Sequence, residues 1–280
     1  MRIKVLSDST CDLTPEILAA NDITLIPLIV VKAGEEYRDG VTIRPSDIFA
    51  HAAATGELCT TAALNMEDYC NVFGKYAGEY DGVIHINIGS GFSSCFQNAS
   101  LAAAEYDNVR AIDSRNLSTG QGLVVLKACE LAQSGMGLDE IVDELNAFTL
   151  RVEASFVLDQ LAYMVKGGRC SSAAALGANL LNLKPCIEVR DGKMTVVKKY
   201  RGNYTKCLTN YVKDRIQGRE DLDRGTLFLT HTPVDEPILQ AVRDTIAQAE
   251  PFEHLYETEA GCTVSCHCGP GTLGVLFVRK

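Results

Sequence analysis

The chain has 280 residues, 46% of them hydrophobic, and carries 26 Lys and Arg against 36 Asp and Glu for a formal net charge of −10. That length accommodates two cores of roughly 120 to 150 residues each. The acidic balance, with no continuous electropositive stretch, disfavours an affinity driven by nucleic-acid phosphates and leaves room for a local basic site, as at Lys166 and Arg169. The longest apolar run, residues 24–31, is far shorter than the roughly 18 to 20 residues of a membrane span, and residues 1–8 read as a first strand rather than a signal peptide, so a cytoplasmic protein is expected.

In chain order, a strand is expected at 3–6, and Asp12 or Thr14 caps a short helix with Pro15 at its first position. An apolar strand at 24–31 follows, then helices at 45–55 and 67–79, a strand at 82–88, a helix at 94–105 and a strand at 109–112. Long helical patterns at 120–134 and 138–148 complete this part. Strands alternating with helices predict a mostly parallel sheet with helices on both faces, and ligands sit beyond the carboxyl ends of such strands. Three polar turns lie at those ends: 7–10, 89–94 and Asp113-Ser114.

Beyond residue 150 the pattern changes. Strands at 186–190 and 194–200 are joined by Asp191-Gly192, a hairpin signal, and further strands are expected at 152–158, 227–230 and 273–278 with helices at 204–217 and 234–249. The expected fold is α/β: an N-terminal parallel-sheet α/β/α domain (1–150) and a C-terminal α+β domain with a mixed sheet (151–280), sharing a cleft.

The turn Gly89-Ser90-Gly91-Phe92-Ser93-Ser94 lies between an apolar strand and a helix. The first helical N–H groups lack partners within the helix and carry the positive end of its dipole, so a carboxylate or phosphate is favoured there. The hydroxyls of Ser90, Ser93 and Ser94 add donors; equally, the glycines only turn the chain and Ser93 only caps the helix. Most of the eleven cysteines sit singly in apolar segments, as small buried hydrophobes do. The crowded stretch Cys262-Thr263-Val264-Ser265-Cys266-His267-Cys268 has no C-x-x-C pair, and if extended it points Cys266 and Cys268 away from His267, so no metal site is expected.

Six segments, in order along the chain, resemble the DegV family of bacterial fatty-acid-binding proteins: Ser7-Asp8-Ser9-Thr10-Cys11-Asp12, Gly91-Phe92-Ser93, Asp113-Ser114, Lys166-Gly167-Gly168-Arg169, Leu183-Lys184-Pro185 and His267-Cys268-Gly269-Pro270-Gly271. The resemblance implies a carrier, not an enzyme. It buries a single long-chain fatty acid between two domains and presents the carboxylate to a separate fatty acid kinase subunit that makes an acyl phosphate. It implies no cofactor beyond the lipid, and a transient membrane-surface contact as a further partner. By matching motifs, Thr61, Ser93 and His267 become the carboxylate ligands; Ser90 and Ser94, from the reading of the turn, are candidates for an additional pocket. Arg169 falls at the kinase-facing junction, outside the lipid pocket. Read without the family, Thr61 is a turn or cap residue, His267 a structural histidine and Arg169 a surface charge. Apolar segments at 25–31, 156–164 and 173–183 are candidates for the tunnel wall. The chain departs from the family pattern at Ser94-Cys95 and at Ala62-Ala63-Leu64-Asn65, so acyl length and unsaturation are not assigned from sequence.

A second reading makes the chain a serine hydrolase or acyltransferase, with Ser93 as nucleophile, His267 as base and Asp8 or Asp113 as orienter. The string Gly91-Phe92-Ser93-Ser94-Cys95 has half of the G-x-S-x-G elbow and lacks its last glycine. A dinucleotide fingerprint fails, because its third glycine falls at Ser94.

Overall fold

The computed structural model describes residues 1–176, 183–249 and 251–280. In chain order the elements are β1 (Ile3–Asp8), a 3-10 turn (Ser9–Cys11), α1 (Pro15–Ala20), β2 (Thr24–Ile26), β3 (Ile29–Lys32), β4 (Glu35–Arg38), α2 (Pro45–Thr55), β5 (Thr60–Ala62) and α3 (Met66–Ala77). Next come β6 (Gly82–Asn87), α4 (Cys95–Ala103), β7 (Val109–Asp113), α5 (Ser118–Gln133) and α6 (Leu138–Thr149). The remainder comprises β8 (Val152–Val157), α7 (Leu161–Gly167), α8 (Ser171–Ala174), β9 (Leu183–Arg190), β10 (Lys193–Arg201), α9 (Tyr204–Ile216), β11 (Leu222–His231), α10 (Glu236–Ala249), β12 (His254–Glu259), α11 (Cys262–Cys268) and β13 (Leu273–Arg279).

The first sheet is parallel throughout, in the order β2-β1-β6-β7. Its side chains alternate between two cores, as the two-residue period of a strand requires. Leu6, Val83 and Val109 pack with Tyr69 and Phe73 of α3 and Ala99 and Ala102 of α4, whereas Val5, Ile84 and Ile112 pack with Val124 of α5 and Ile141 and Leu145 of α6. The second sheet is mixed, in the order β10-β9-β8-β13-β11-β12, with β11 and β12 parallel and its other neighbours antiparallel. Tyr211 of α9 and Val242 of α10 bury one of its faces. Helix α5 lies between the two sheets, since its core also includes Phe228, Leu276 and Val278, and Thr119 bonds to Thr230 across the junction at 2.6 Å. A helix apolar nearly all round its axis has that central position as its stable place.

Three expectations are corrected. The run 24–31 is two strands in different sheets, because Pro27 has no N–H to donate to a ladder and the chain turns there. The second of them, β3, joins β4 and β5 in a small antiparallel sheet (β4-β3-β5) that was not anticipated; β4 reads Glu35-Glu36-Tyr37-Arg38, without an apolar alternation. Thr61 is therefore a strand residue rather than a turn or cap residue, opposite Val30. The segment 262–268 is a helix and not extended. No helix among the described residues is long and apolar enough to cross a membrane.

Candidate functional site

The cradle between β6 and α4 is shaped from below by Asp8 at the end of β1. Its carboxylate accepts hydrogen bonds from the Ile88 amide at 2.9 Å, the Asn87 side chain at 3.2 Å and the Tyr69 hydroxyl at 3.0 Å, and it contacts His85 Nε2 at 3.1 Å. All four of these residues are buried, so the start of the loop is fixed by a polar cluster inside the parallel-sheet domain. Gly91 lets the hairpin turn of the mixed sheet close over the loop: a Cβ there would stand 2.1 Å from the Gly192 carbonyl oxygen.

Beyond the carboxyl ends of these strands lies a cavity of about 160 Å³ whose wall includes Thr61, Ser93, Ser94, Arg169 and His267 together with the apolar Leu28, Leu117 and Val264. The structure thus brings together all three residues expected to hold a carboxylate. Thr61 Oγ1 and His267 Nε2 are 2.9 Å apart, joining residues from β5 and α11. His267 Nδ1 is buried with no partner and faces Gly167, where a Cβ would stand 2.3 Å away. Burial, with the Arg169 guanidinium adding to it, pushes His267 down to about 4, so the imidazole is neutral near pH 7. A buried lone pair without a partner costs less than a buried N–H without one, which favours the tautomer that donates from Nε2 to Thr61. The Thr61 hydroxyl hydrogen is then free to point into the cavity.

Ser93 Oγ accepts from the Cys95 amide at 3.2 Å and donates to Cys95 Sγ at 3.1 Å. Sulfur is a weak acceptor, so that hydroxyl can be re-aimed at a carboxylate at little cost. Ser94 is the N-cap of α4, and the amino end of this helix opens on the cavity. No Asp or Glu side chain among the described residues lines the cavity. The wall therefore favours a negative head group. Leu117, Val264 and Cys268 are shared with a neighbouring apolar cavity of about 30 Å³ bordered by Phe156, Ala154 and Leu276.

Two site expectations are corrected. Ser90 is outside the cavity wall: its amide and hydroxyl are both committed to Asp113, at 3.0 and 2.5 Å. Arg169 is part of the wall rather than outside it; it donates to the Gly167 carbonyl at 2.6 Å and reaches the Phe92 carbonyl at 3.5 Å, bridging α7 to the cradle. Of the proposed tunnel segments, Leu28 and Phe156 do border the two cavities, and residues 177–182 of the third lie outside the described residues.

A catalytic triad does not assemble. Ser93 is bonded to Cys95 and not to His267, the unpartnered Nδ1 has no carboxylate to orient it, and Asp8 and Asp113 serve the cradle instead. The cysteines have a packing role: Cys59, Cys262 and Cys266 lie with Val30, Ile43 and Ile48 in a small core, and burial pushes the thiols of Cys262, Cys266 and Cys268 up. Among the described residues no three His, Cys, Asp or Glu side chains converge as a metal-ligand group.

Comparison with known proteins adds four findings. The DegV family model matches residues 2–280. A DegV domain-containing protein of Clostridium acetobutylicum is 33% identical over 283 residues, covering 100% of this chain and 99% of that protein. Among solved structures, one described as fatty acid binding of a DegV family protein from Thermus thermophilus superposes with a TM-score of 0.90 at 28% identity, covering 100% of both chains. DegV of Bacillus subtilis, described as a fatty acid binding protein, superposes with a TM-score of 0.82 at 27% identity, also covering 100% of both.

Proposed function

The chain belongs to the DegV family, and on that premise we propose that it binds a single long-chain fatty acid, with the carboxylate held by Thr61, Ser93 and His267 and the acyl chain running inward past Leu117, Val264 and Cys268. The observation that carries this reading is a pair of adjoining cavities of different chemistry that share Leu117, Val264 and Cys268 as a common wall. The first collects hydroxyls, a neutral imidazole, a helix amino end and one guanidinium with no opposing carboxylate, and the second is apolar. Ser94 and Arg169 complete the head site. Each buried methylene contributes about 0.8 kcal/mol, so the apolar passage supplies affinity and the polar end supplies orientation. Fatty acid binding in the Thermus thermophilus and Bacillus subtilis relatives supports the same ligand class here.

In this reading residues 1–150 carry the cradle and residues 151–280 close the pocket. The chain acts as a cytoplasmic carrier for phospholipid metabolism, and a separate ATP-dependent kinase phosphorylates the presented carboxylate. The hydroxyls of Thr61 and Ser93 hold a carboxylate by single hydrogen bonds and the neutral imidazole shares its one Nε2–H between Thr61 and the ligand, which leaves an oxygen lone pair available for phosphoryl transfer. The sequence has no G-x-x-x-x-G-K-[ST] loop of its own, in keeping with a partner that brings the nucleotide. Arg169, exposed at the mouth, is suited both to the carboxylate and to a phosphate in transit.

Native mass spectrometry of protein purified from cells, with identification of the extracted lipid, tests this directly. One fatty acid per chain is expected. Recovery of none, together with no binding of added oleate or palmitate at micromolar concentration, overturns the proposal. Acyl phosphate formed by the chain alone with ATP and fatty acid overturns the carrier role.

A further inference from the structure

Helix α11 delivers His267 to the cavity, yet it has only seven residues, too few to hold a direction by its own hydrogen bonds. What holds it comes from near the start of the chain. Asp39, buried at 4% exposure, accepts from the amides of Cys262 at 2.9 Å and Thr263 at 3.1 Å, from the Thr263 hydroxyl at 2.7 Å and from the Ser9 hydroxyl at 3.0 Å. Asp12, also buried, accepts from the Gly261 amide at 2.9 Å and from the Ser118 hydroxyl at 2.5 Å. Three consecutive amides at the start of α11, which have no partner within the helix, thus end on two carboxylates from loops of the parallel-sheet domain. The two converge closely: a Cβ at Gly261 would stand 2.9 Å from Asp12 Oδ1 and 3.6 Å from Asp39 Oδ1.

We infer that Asp39 and Asp12 are positioning residues for His267, setting the depth and direction at which α11 presents the imidazole to Thr61 and to a bound carboxylate. The inference rests on the head-group site proposed above. The reason is leverage: His267 follows Gly261 by less than two helical turns, so a tilt at the first turn of α11 reappears at the imidazole with little damping. Asp39 carries most of the hold, with four donors to Asp12's two. Burial, with Asp39 adding to it, raises Asp12 to about 7, so the weaker contact changes its proton near neutral pH. The titratable groups around His267 itself are Arg169, Lys166 and Tyr163 from the α7 side, Cys59 beside β5 and Cys266 on α11. None of these changes in the variants below, so a shift at His267 reports on α11.

The test combines Asp39→Ala, Asp39→Asn and Asp12→Asn with two readouts: the titration of His267 followed by NMR in the unliganded chain, and oleate affinity by calorimetry. In the parent, His267 should titrate at about 4. In Asp39→Ala it should move by a unit or more toward the usual value of about 6.5 as the imidazole gains water. Oleate affinity should fall by roughly ten-fold or more with the amide spectrum still dispersed. Asp39→Asn, which keeps one acceptor, should lie between, and it carries the test if the alanine variant does not fold. Asp12→Asn should move His267 less than either. An unchanged His267 titration in the folded Asp39 variants overturns the inference, whatever lipid binds. Failure of the parent to bind oleate, with the titration shifts intact, counts against the lipid reading and leaves the positioning role standing.

Discussion

Replacing Gly167 by alanine separates the stability of α7 from the geometry of the head site. The imidazole of His267 is held between two neighbours, with Nδ1 facing Gly167 and Nε2 on Thr61 at 2.9 Å. A methyl at Gly167 would stand 2.3 Å from Nδ1 and 3.3 Å from Cε1 and Cγ, whereas ordinary contact begins at 3.4 Å. The ring must therefore retreat by about 1 Å, and straight retreat drives it into Thr61, so it rotates away and the Thr61 bond is lost. For the unliganded chain two terms oppose each other. Alanine at the end of α7 contributes roughly 0.5 to 1 kcal/mol over glycine, and the lost hydrogen bond costs about 1 kcal/mol, so thermal stability should change little. For binding nothing opposes the loss of a hydrogen bond to a charged carboxylate, worth roughly 1.5 to 3 kcal/mol. Oleate affinity should fall by roughly ten- to a hundred-fold while the melting temperature moves by a few degrees at most. Calorimetric titration and a thermal melt on the same samples measure both. An affinity within two-fold of the parent would refute the reasoning, because the imidazole would then be displaced without consequence for the ligand.

Ser93→Ala and Thr61→Val each remove one donor to the carboxylate, and each should lower oleate affinity by roughly ten-fold with little change in fold; two variants that titrate like the parent would put the carboxylate elsewhere. Acid should weaken the fold through His267. Its folded value is about 4 against the usual 6.5, so between these the unfolded chain binds more protons, and the stabilisation is fully present above pH 6.5 and lost as pH falls toward 4. The loss is at most about 3 kcal/mol, and His267→Gln should flatten that part of the profile in urea titrations at successive pH values. Asp12, raised to about 7, acts oppositely, its contribution being lost as pH rises through the same range, so the comparison is parent against variant at each pH. Leu117 lines both cavities, and Leu117→Phe should fill space at their common wall and shift preference toward shorter acids, read from binding across a series of chain lengths.

Periodicity and punctuation by themselves determined the alternating strands and helices, the parallel sheet, the hairpin at Asp191-Gly192 and the turn at 89–94 between a strand and a helix, because each rests on neighbours in sequence. Pro27 was legible too, and weighing its missing N–H would have divided 24–31 correctly. Thr61 and His267, separated by 206 residues, were linked only through the family resemblance, since no local pattern records a contact between a three-residue strand and a seven-residue helix. The small sheet that carries Thr61 is too short and too polar at β4 to show an alternation. Residues 262–268 mix β-branched Thr and Val with cysteines and have little helical propensity. Their helix is decided by carboxylates at Asp12 and Asp39, more than two hundred residues away, and by burial against β3, β5, α2 and α7. Ser90 and Arg169 show the same division: sequence supplied the donors, and only the folded positions of Asp113, Gly167 and Phe92 decided that one is spent on a loop and the other lines the cavity. A side chain's chemistry is local, but the partners that commit it are set by how distant segments pack.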